Sequence, residues 1–152
     1  MSEPVSHSPL EALAEEFKEY DRGERAEMLI EYADRFIEVP PAIATRPFPE
    51  DRRAPRCESD AFVWALDQPD GTLQFHFAVE NPQGLSAKAW AVIMDETLSG
   101  RPLEEIAGVS GELIFQIFGR DLSMGKGQGL LGMLDVVQHE VKRRLNARRS
   151  SG

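Results

Sequence analysis

The 152-residue chain has a single cysteine, Cys57, only three histidines, no surplus of positive charge and no long apolar run. One cysteine excludes an intramolecular disulfide and a Cys-rich zinc or iron–sulfur site built within one chain. His7, His76 and His139 show no HxH or HExxH spacing, so no metal site is expected of this chain. With 17 basic against 26 acidic side chains, the formal charge of −9 argues against nucleic acid as a partner, because a phosphate backbone needs a net basic face. The apolar stretches fall far short of a membrane span. Met1 to Pro9 has no basic region followed by an apolar core, so no secretory signal is expected. Together with a free thiol, that leads us to expect a cytoplasmic protein that does not engage a membrane.

What is present is the composition of a folded soluble domain, 41% hydrophobic and 28% charged. The length suits one domain with a real core, and we expect residues 1–152 to form it, with flexible ends at 1–8 and 148–152. Charge is unevenly spread: residues 1–38 carry net −7, 46–56 net +2, 58–121 net −8 and 126–149 net +4. Lys142, Arg143, Arg144, Arg148 and Arg149 in the last block read as ordinary complements to a helix C-terminus. The earlier island, Arg46, Arg52, Arg53 and Arg56, abuts the only thiol.

Local signals suggest the elements. Ser8-Pro9-Leu10-Glu11 combines an N-cap, a first-turn proline and a capping-box glutamate. Leu10, Leu13, Ala14 and Phe17 follow at helical spacing. Asp21 and Glu24 repeat the capping pattern before an apolar face of Ala26, Leu29, Ile30, Ala33, Phe36 and Ile37, which predicts two short antiparallel helices. Five prolines between Pro40 and Pro55 disfavour helix. That segment is expected to cross the surface and deliver Cys57 to an exposed bend. The run 61–66, the turn at 67–71 and the alternation from Thr72 to Val79 predict a hairpin with one face in the core. A helix from Ser86 to about Leu98, short helices at 102–106 and 110–118, and a last helix beginning near Gly127 or Gly129 complete the reading. Leu130, Leu134, Val137, Val141 and Leu145 form the last helix's apolar stripe. The fold class is α+β, a small antiparallel sheet with helices packed on one face.

Few motifs carry chemistry. The Gly119–Gly129 stretch resembles a phosphate-cradling loop, but five residues rather than four precede Gly125-Lys126, and Gly127 stands where the magnesium-holding hydroxyl belongs. It reads instead as a flexible loop before a helix. His76 and His139 fall on polar faces, as surface residues do. A Cys–His–acid triad stays open, since its members meet only in space. Free cysteine is usually buried and inert, yet Cys57 lies among Arg52, Arg53, Arg56, Glu58, Ser59 and Asp60. Positive neighbours favour the nucleophilic thiolate and the acids oppose it. That context points to a reactive thiol, with no sign assigned to its net pKa shift.

The run Pro55-Arg56-Cys57-Glu58-Ser59-Asp60-Ala61-Phe62-Val63-Trp64 resembles the active-cysteine segment of SufE-type sulfur acceptors. Leu122-Ser123-Met124-Gly125-Lys126-Gly127-Gln128-Gly129-Leu130 is similar to that family's second signature before its last helix. The correspondence of order spans roughly residues 10 to 147. Two departures are visible: the tryptophan stands further from the cysteine than in many members, and Lys126 replaces the usual arginine, keeping charge but losing a bidentate fork. The resemblance implies a SufE/IscU-like fold and a sulfur carrier rather than an independent turnover enzyme. Its partner would be a pyridoxal-phosphate-dependent cysteine desulfurase of the SufS type, which is activated by the carrier and holds the cofactor itself, so this chain would bind no cofactor. Sulfur would arrive on Cys57 as a persulfide and pass to a SufB-containing iron–sulfur assembly complex. Arg56, Lys126, Gln128 and Gly129 would contact the partner. Homodimerisation stays open, as do two other readings: a non-transferring scaffold of the same fold and a single-thiol redox sensor.

Overall fold

A computed structural model describes residues 8–151, so Met1 to His7, with one of the three histidines, and Gly152 lie outside the described residues. The order of elements is α1 (Pro9–Lys18), α2 (Arg22–Asp34), a 3-10 turn (Glu50–Arg52), β1 (Ala61–Asp67), β2 (Leu73–Val79), α3 (Leu85–Leu98), α4 (Leu103–Ala107), α5 (Glu112–Phe118) and α6 (Met124–Ser151). This is the expected α+β class: among the described residues there are six α-helices and one antiparallel hairpin.

Both N-terminal caps form as the sequence suggests. The Ser8 side chain accepts the Glu11 N–H, and Asp21 with Glu24 closes a full capping box. Ser8 is buried rather than part of a loose end. The main partners of the two helices lie further along the chain: α1 packs on α5 and α2 on α3. In α2 the buried residues are Leu29 and Tyr32, whereas Ile30 and Ile37, expected on its apolar face, are 45% and 83% exposed. The helix stops at Asp34, so Ile37 never joins the helical stripe.

The hairpin pairs Ala61 with Val79 through to Asp67 with Leu73. Val63, Phe75, Phe77 and Val79 point into the main core with Trp90, Ile93, Leu134 and Val137. The opposite face is covered as well. Phe62 and Trp64 pack there with Val39 and Phe48 from the proline-rich segment, Phe48 meeting Trp64 edge-on at 5.2 Å. That segment therefore wraps the hairpin rather than linking domains. Its two ends bond to opposite strands: Val39 donates to the Phe77 carbonyl and Ala54 to the Ala61 carbonyl, each at 2.8 Å.

Helix α6 begins at Met124, earlier than expected, and continues to Ser151 where a fraying end was anticipated. The glycines at 125, 127 and 129 thus lie within its first turns and not in a preceding loop. Its basic end does more than complement a dipole. Arg144 donates to Asp67 at 2.7 Å and Arg148 to the Gly71 carbonyl at 2.7 Å, fastening the hairpin turn to the helix. The hydrogen bond from Arg144 holds the Asp67 carboxyl below the ordinary carboxylate range.

Glu140 is 4% exposed and accepts hydrogen bonds from Arg143 and Arg144, both at 3.0 Å, with Arg52 at 3.7 Å. Burial alone would raise its carboxyl. The arginines override that and hold it lowered. A carboxyl lowered on folding contributes stability above its unfolded range and loses it as pH falls through the folded value. Glu140→Gln is therefore expected to cost about 1–3 kcal/mol at neutral pH, less than a fully buried pair because two of the arginines are partly solvated. The deficit relative to wild type should shrink below about pH 4, as measured by urea midpoints across a pH series.

Candidate functional site

The Cys57 segment sits between the proline-rich wrap and β1, and its ends are drawn together. Ala54 bonds to Ala61, Asp60 donates to the Cys57 carbonyl at 3.1 Å, and Asn81 donates to the Ser59 carbonyl at 3.1 Å. The result is a tight loop from 55 to 60 in which two non-glycine residues, Arg56 (φ 60°) and Asp60 (φ 52°), adopt the left-handed conformation. For a bulky side chain such as arginine that conformation is unfavourable and must be imposed by its surroundings.

Cys57 is only 9% exposed and belongs to the main core cluster. This corrects the expected exposed bend. The loop does cross the surface, but it turns the thiol inward against the first turns of α6. There the glycines acquire their meaning. Gly125, Gly129 and Gly132 fall on one helical face. A Cβ on Gly129 would lie 3.2 Å from Cys57 Cα and 3.6 Å from its sulfur, and one on Gly132 would lie 2.0 Å from the Pro55 carbonyl oxygen. The helix thus presents a seat into which the loop backbone fits only because side chains are missing.

Two depressions border the loop. One, of ≈ 360 Å³, lies between the starts of α3 and α6 and is lined by Cys57, Ser59, Leu85, Ser86, Lys126 and Gly129, among others. The other, of ≈ 440 Å³, is lined by Arg53, Pro55, Arg56, Cys57 and Glu58 on the outer side. A third cavity, of ≈ 690 Å³ between α2, β2 and α3, includes His76 but shares no lining residue with the thiol site. Exposed apolar side chains near the first depression are Leu85 at 42% and Met124 at 79%.

The residues singled out from sequence are partly assembled. Lys126 is exposed and lines the depression with Cys57, and Gln128 is exposed on the same helix. Gly129 is buried beneath the loop, so in this conformation it supports Cys57 and borders the depression without a side chain to offer. Arg56 extends to Asp135 on α6, Nη2 to Oδ2 at 3.0 Å. The positive island is compensated in space: Arg52 faces Glu140, Arg53 pairs with Asp60 and Glu50, and Arg46 pairs with Glu38 and Glu80. His139 is exposed on α6. Sequence reasoning missed Gly132, Asp135 and Glu140. A Gly-x-x-x-Gly-x-x-Gly spacing in a helix was the available signal for the first, whereas the ion pairs left none.

Among the described residues, no group of three or more His, Cys, Asp or Glu side chains is placed to hold a metal ion, and no helix is long and apolar enough to cross a membrane. The family model described as SufE, Fe-S metabolism associated domain, matches residues 11–141. Comparison with curated proteins gave no match. Among solved structures, the solution structure of a hypothetical protein from Thermus thermophilus superposes with a TM-score of 0.70 at 26% identity, covering 91% of this chain and 96% of that one.

Proposed function

Because the chain belongs to the SufE family, a domain associated with Fe-S metabolism, we propose that it accepts sulfur on Cys57 from a cysteine desulfurase of the SufS type and delivers it to a SufB-containing assembly complex. The observation that carries this reading is the placement of the only cysteine. Cys57 closes a tight loop against a glycine seat, beside a depression with an exposed lysine and exposed apolar side chains.

The chemistry needs no oxidant. The desulfurase presents its sulfur as a cysteine persulfide, and the Cys57 thiolate attacks the terminal sulfur. The old S–S bond breaks as the new one forms, the partner's thiolate leaves, and Cys57 carries –S–SH. A chain with one thiol has no resolving neighbour to turn that persulfide into an internal disulfide. Attack in line with an S–S bond requires the sulfur to leave its core position, so the 55–60 loop must open when the partner docks. Leu85, Met124, Lys126 and Gln128 supply apolar and hydrogen-bonding surface for that docking, while Gly129 and Arg56 act from within the loop's support. The same contact would activate the desulfurase by withdrawing its persulfide product.

Incubation of the chain with a desulfurase and cysteine is expected to add one sulfur, about 32 Da, to its intact mass under non-reducing conditions. A chain that stimulated the desulfurase yet gained no mass would instead be a non-transferring scaffold.

A further inference from the structure

We propose that two ion pairs, Arg56–Asp135 and Arg53–Asp60, are the clamps that keep the Cys57 loop closed, each acting on one of the two residues held in the left-handed conformation. This rests on the sulfur-acceptor reading for its biological meaning, but the clamps themselves are a property of the loop. The geometry is specific. Arg56 immediately precedes Cys57 at φ 60°, and its guanidinium reaches Asp135 of α6 at 3.0 Å. Asp60 closes the loop at φ 52°, and its carboxylate is bound by Arg53, on the far side of the same loop.

Arg56 lies in a backbone region that disfavours its bulky side chain, so it would relax toward an ordinary conformation once released, whereas Asp60 is a residue type that tolerates this region and becomes free to leave it when its charge is unpaired. A relaxed Arg56 or Asp60 changes the direction of the chain on either side of Cys57, which lifts the sulfur away from Gly129. The strain thus favours opening while the ion pairs oppose it. The four charged side chains are 41–56% exposed, so a docking protein can reach them without first unfolding anything. Exposed pairs are individually weak, which suits a latch that must yield to a partner. The remaining charges near the loop strengthen this division. Glu50 lies 3.5 Å from Arg53 and supports the same clamp, whereas Arg52 is directed to Glu140 and anchors the segment before the loop. Arg56, Arg53, Asp60 and Asp135 are therefore positioning residues, acting through the placement of Cys57.

The test is the rate at which Cys57 of the folded full-length chain is alkylated by iodoacetamide, taken at the high-pH plateau of its pH–rate profile, where thiolate fraction no longer enters and the rate reads loop opening without any desulfurase. Asp135→Asn and Asp60→Asn are each expected to raise the rate about twofold to fivefold, and the double variant multiplicatively. Asparagine tolerates the left-handed conformation, so Asp60→Asn removes the charge and leaves the hinge backbone accommodated. Exchanging the charges with Arg56→Asp and Asp135→Arg together should bring the rate back toward wild type. Thermal melts of every variant separate loop opening from global unfolding. Should a variant melt too early to interpret, the wild-type chain supplies a second measurement. Its alkylation rate should rise with sodium chloride, and that rise should be lost in the Asp60→Asn, Asp135→Asn double variant if it folds. Rates unchanged in both single variants, or a salt-independent wild-type rate, would overturn the clamps. A chain whose clamps behave as described but which takes no sulfur from a desulfurase would leave the clamps standing and remove the acceptor reading.

Discussion

Cys57→Ser is expected to abolish sulfur acceptance completely. The intact-mass gain of about 32 Da should vanish, and stimulation of the desulfurase should fall to the level of the desulfurase alone. The effect is all or none because the chain holds no second thiol to which sulfur could be diverted, and because a serine hydroxyl is not a comparable sulfur nucleophile at neutral pH. The substitution is also close to isosteric at a site 9% exposed, so a melt should show the fold intact. Loss of function would then belong to the sulfur atom. Full stimulation by Cys57→Ser would establish the scaffold reading, in which the loop presents shape and not a nucleophile. Oxidation of wild-type Cys57 by peroxide, with no sulfur accepted from any desulfurase, would establish the sensor.

Gly132→Ala should produce the largest structural effect of any glycine-to-alanine substitution among the described residues, because its added Cβ makes the shortest contact. In an unconstrained helix, glycine to alanine stabilises by up to about 1 kcal/mol. Here the new Cβ would stand 2.0 Å from the Pro55 carbonyl oxygen, a backbone atom that cannot rotate aside. Either α6 or the 54–58 segment must shift. The expected outcome is a net destabilisation of about 1–3 kcal/mol, read from denaturant midpoints, together with faster alkylation of Cys57. Gly129→Ala meets Cys57 Cα at 3.2 Å, which a shift of a few tenths of an ångström relieves, so its effect on stability should be smaller. A Gly132→Ala chain more stable than wild type would mean that the loop does not rest on α6.

These two residues also show how function is divided between the loop and its seat. Cys57 carries the proposed chemistry, whereas Gly132 lets the loop that bears it approach the helix. Gly125 and Gly129 share that helical face, and Trp90 donates to the Leu130 carbonyl at 3.1 Å in the same region. A signature that looks like a flexible hinge is thus a rigid cradle. Its glycines are needed for close approach and not for freedom of motion.

The elements were largely legible in the amino-acid order, since capping, proline placement and hydrophobic period act over three or four residues. Ser8 and Asp21 start their helices, and Thr72 to Val79 alternates as a strand must. The resemblance that singled out Cys57 also lay in contiguous runs. Where local signals met long-range packing, they fell short. Ile30 and Ile37 had the right spacing but no partner surface, and the last helix began before its glycines because Gly129 and Gly132 face a loop more than 70 positions earlier in the chain. The same distance hid the site's electrostatics. Arg56 and Asp135 are 79 residues apart, so a positive island in the sequence becomes a set of closed ion pairs in the fold. By itself the sequence determined that there is one thiol, where it stands, and which helices and strands surround it. Only the tertiary structure decided that the thiol faces inward, what it rests on and which charges hold it there, because burial and charge pairing depend on residues that folding alone brings together.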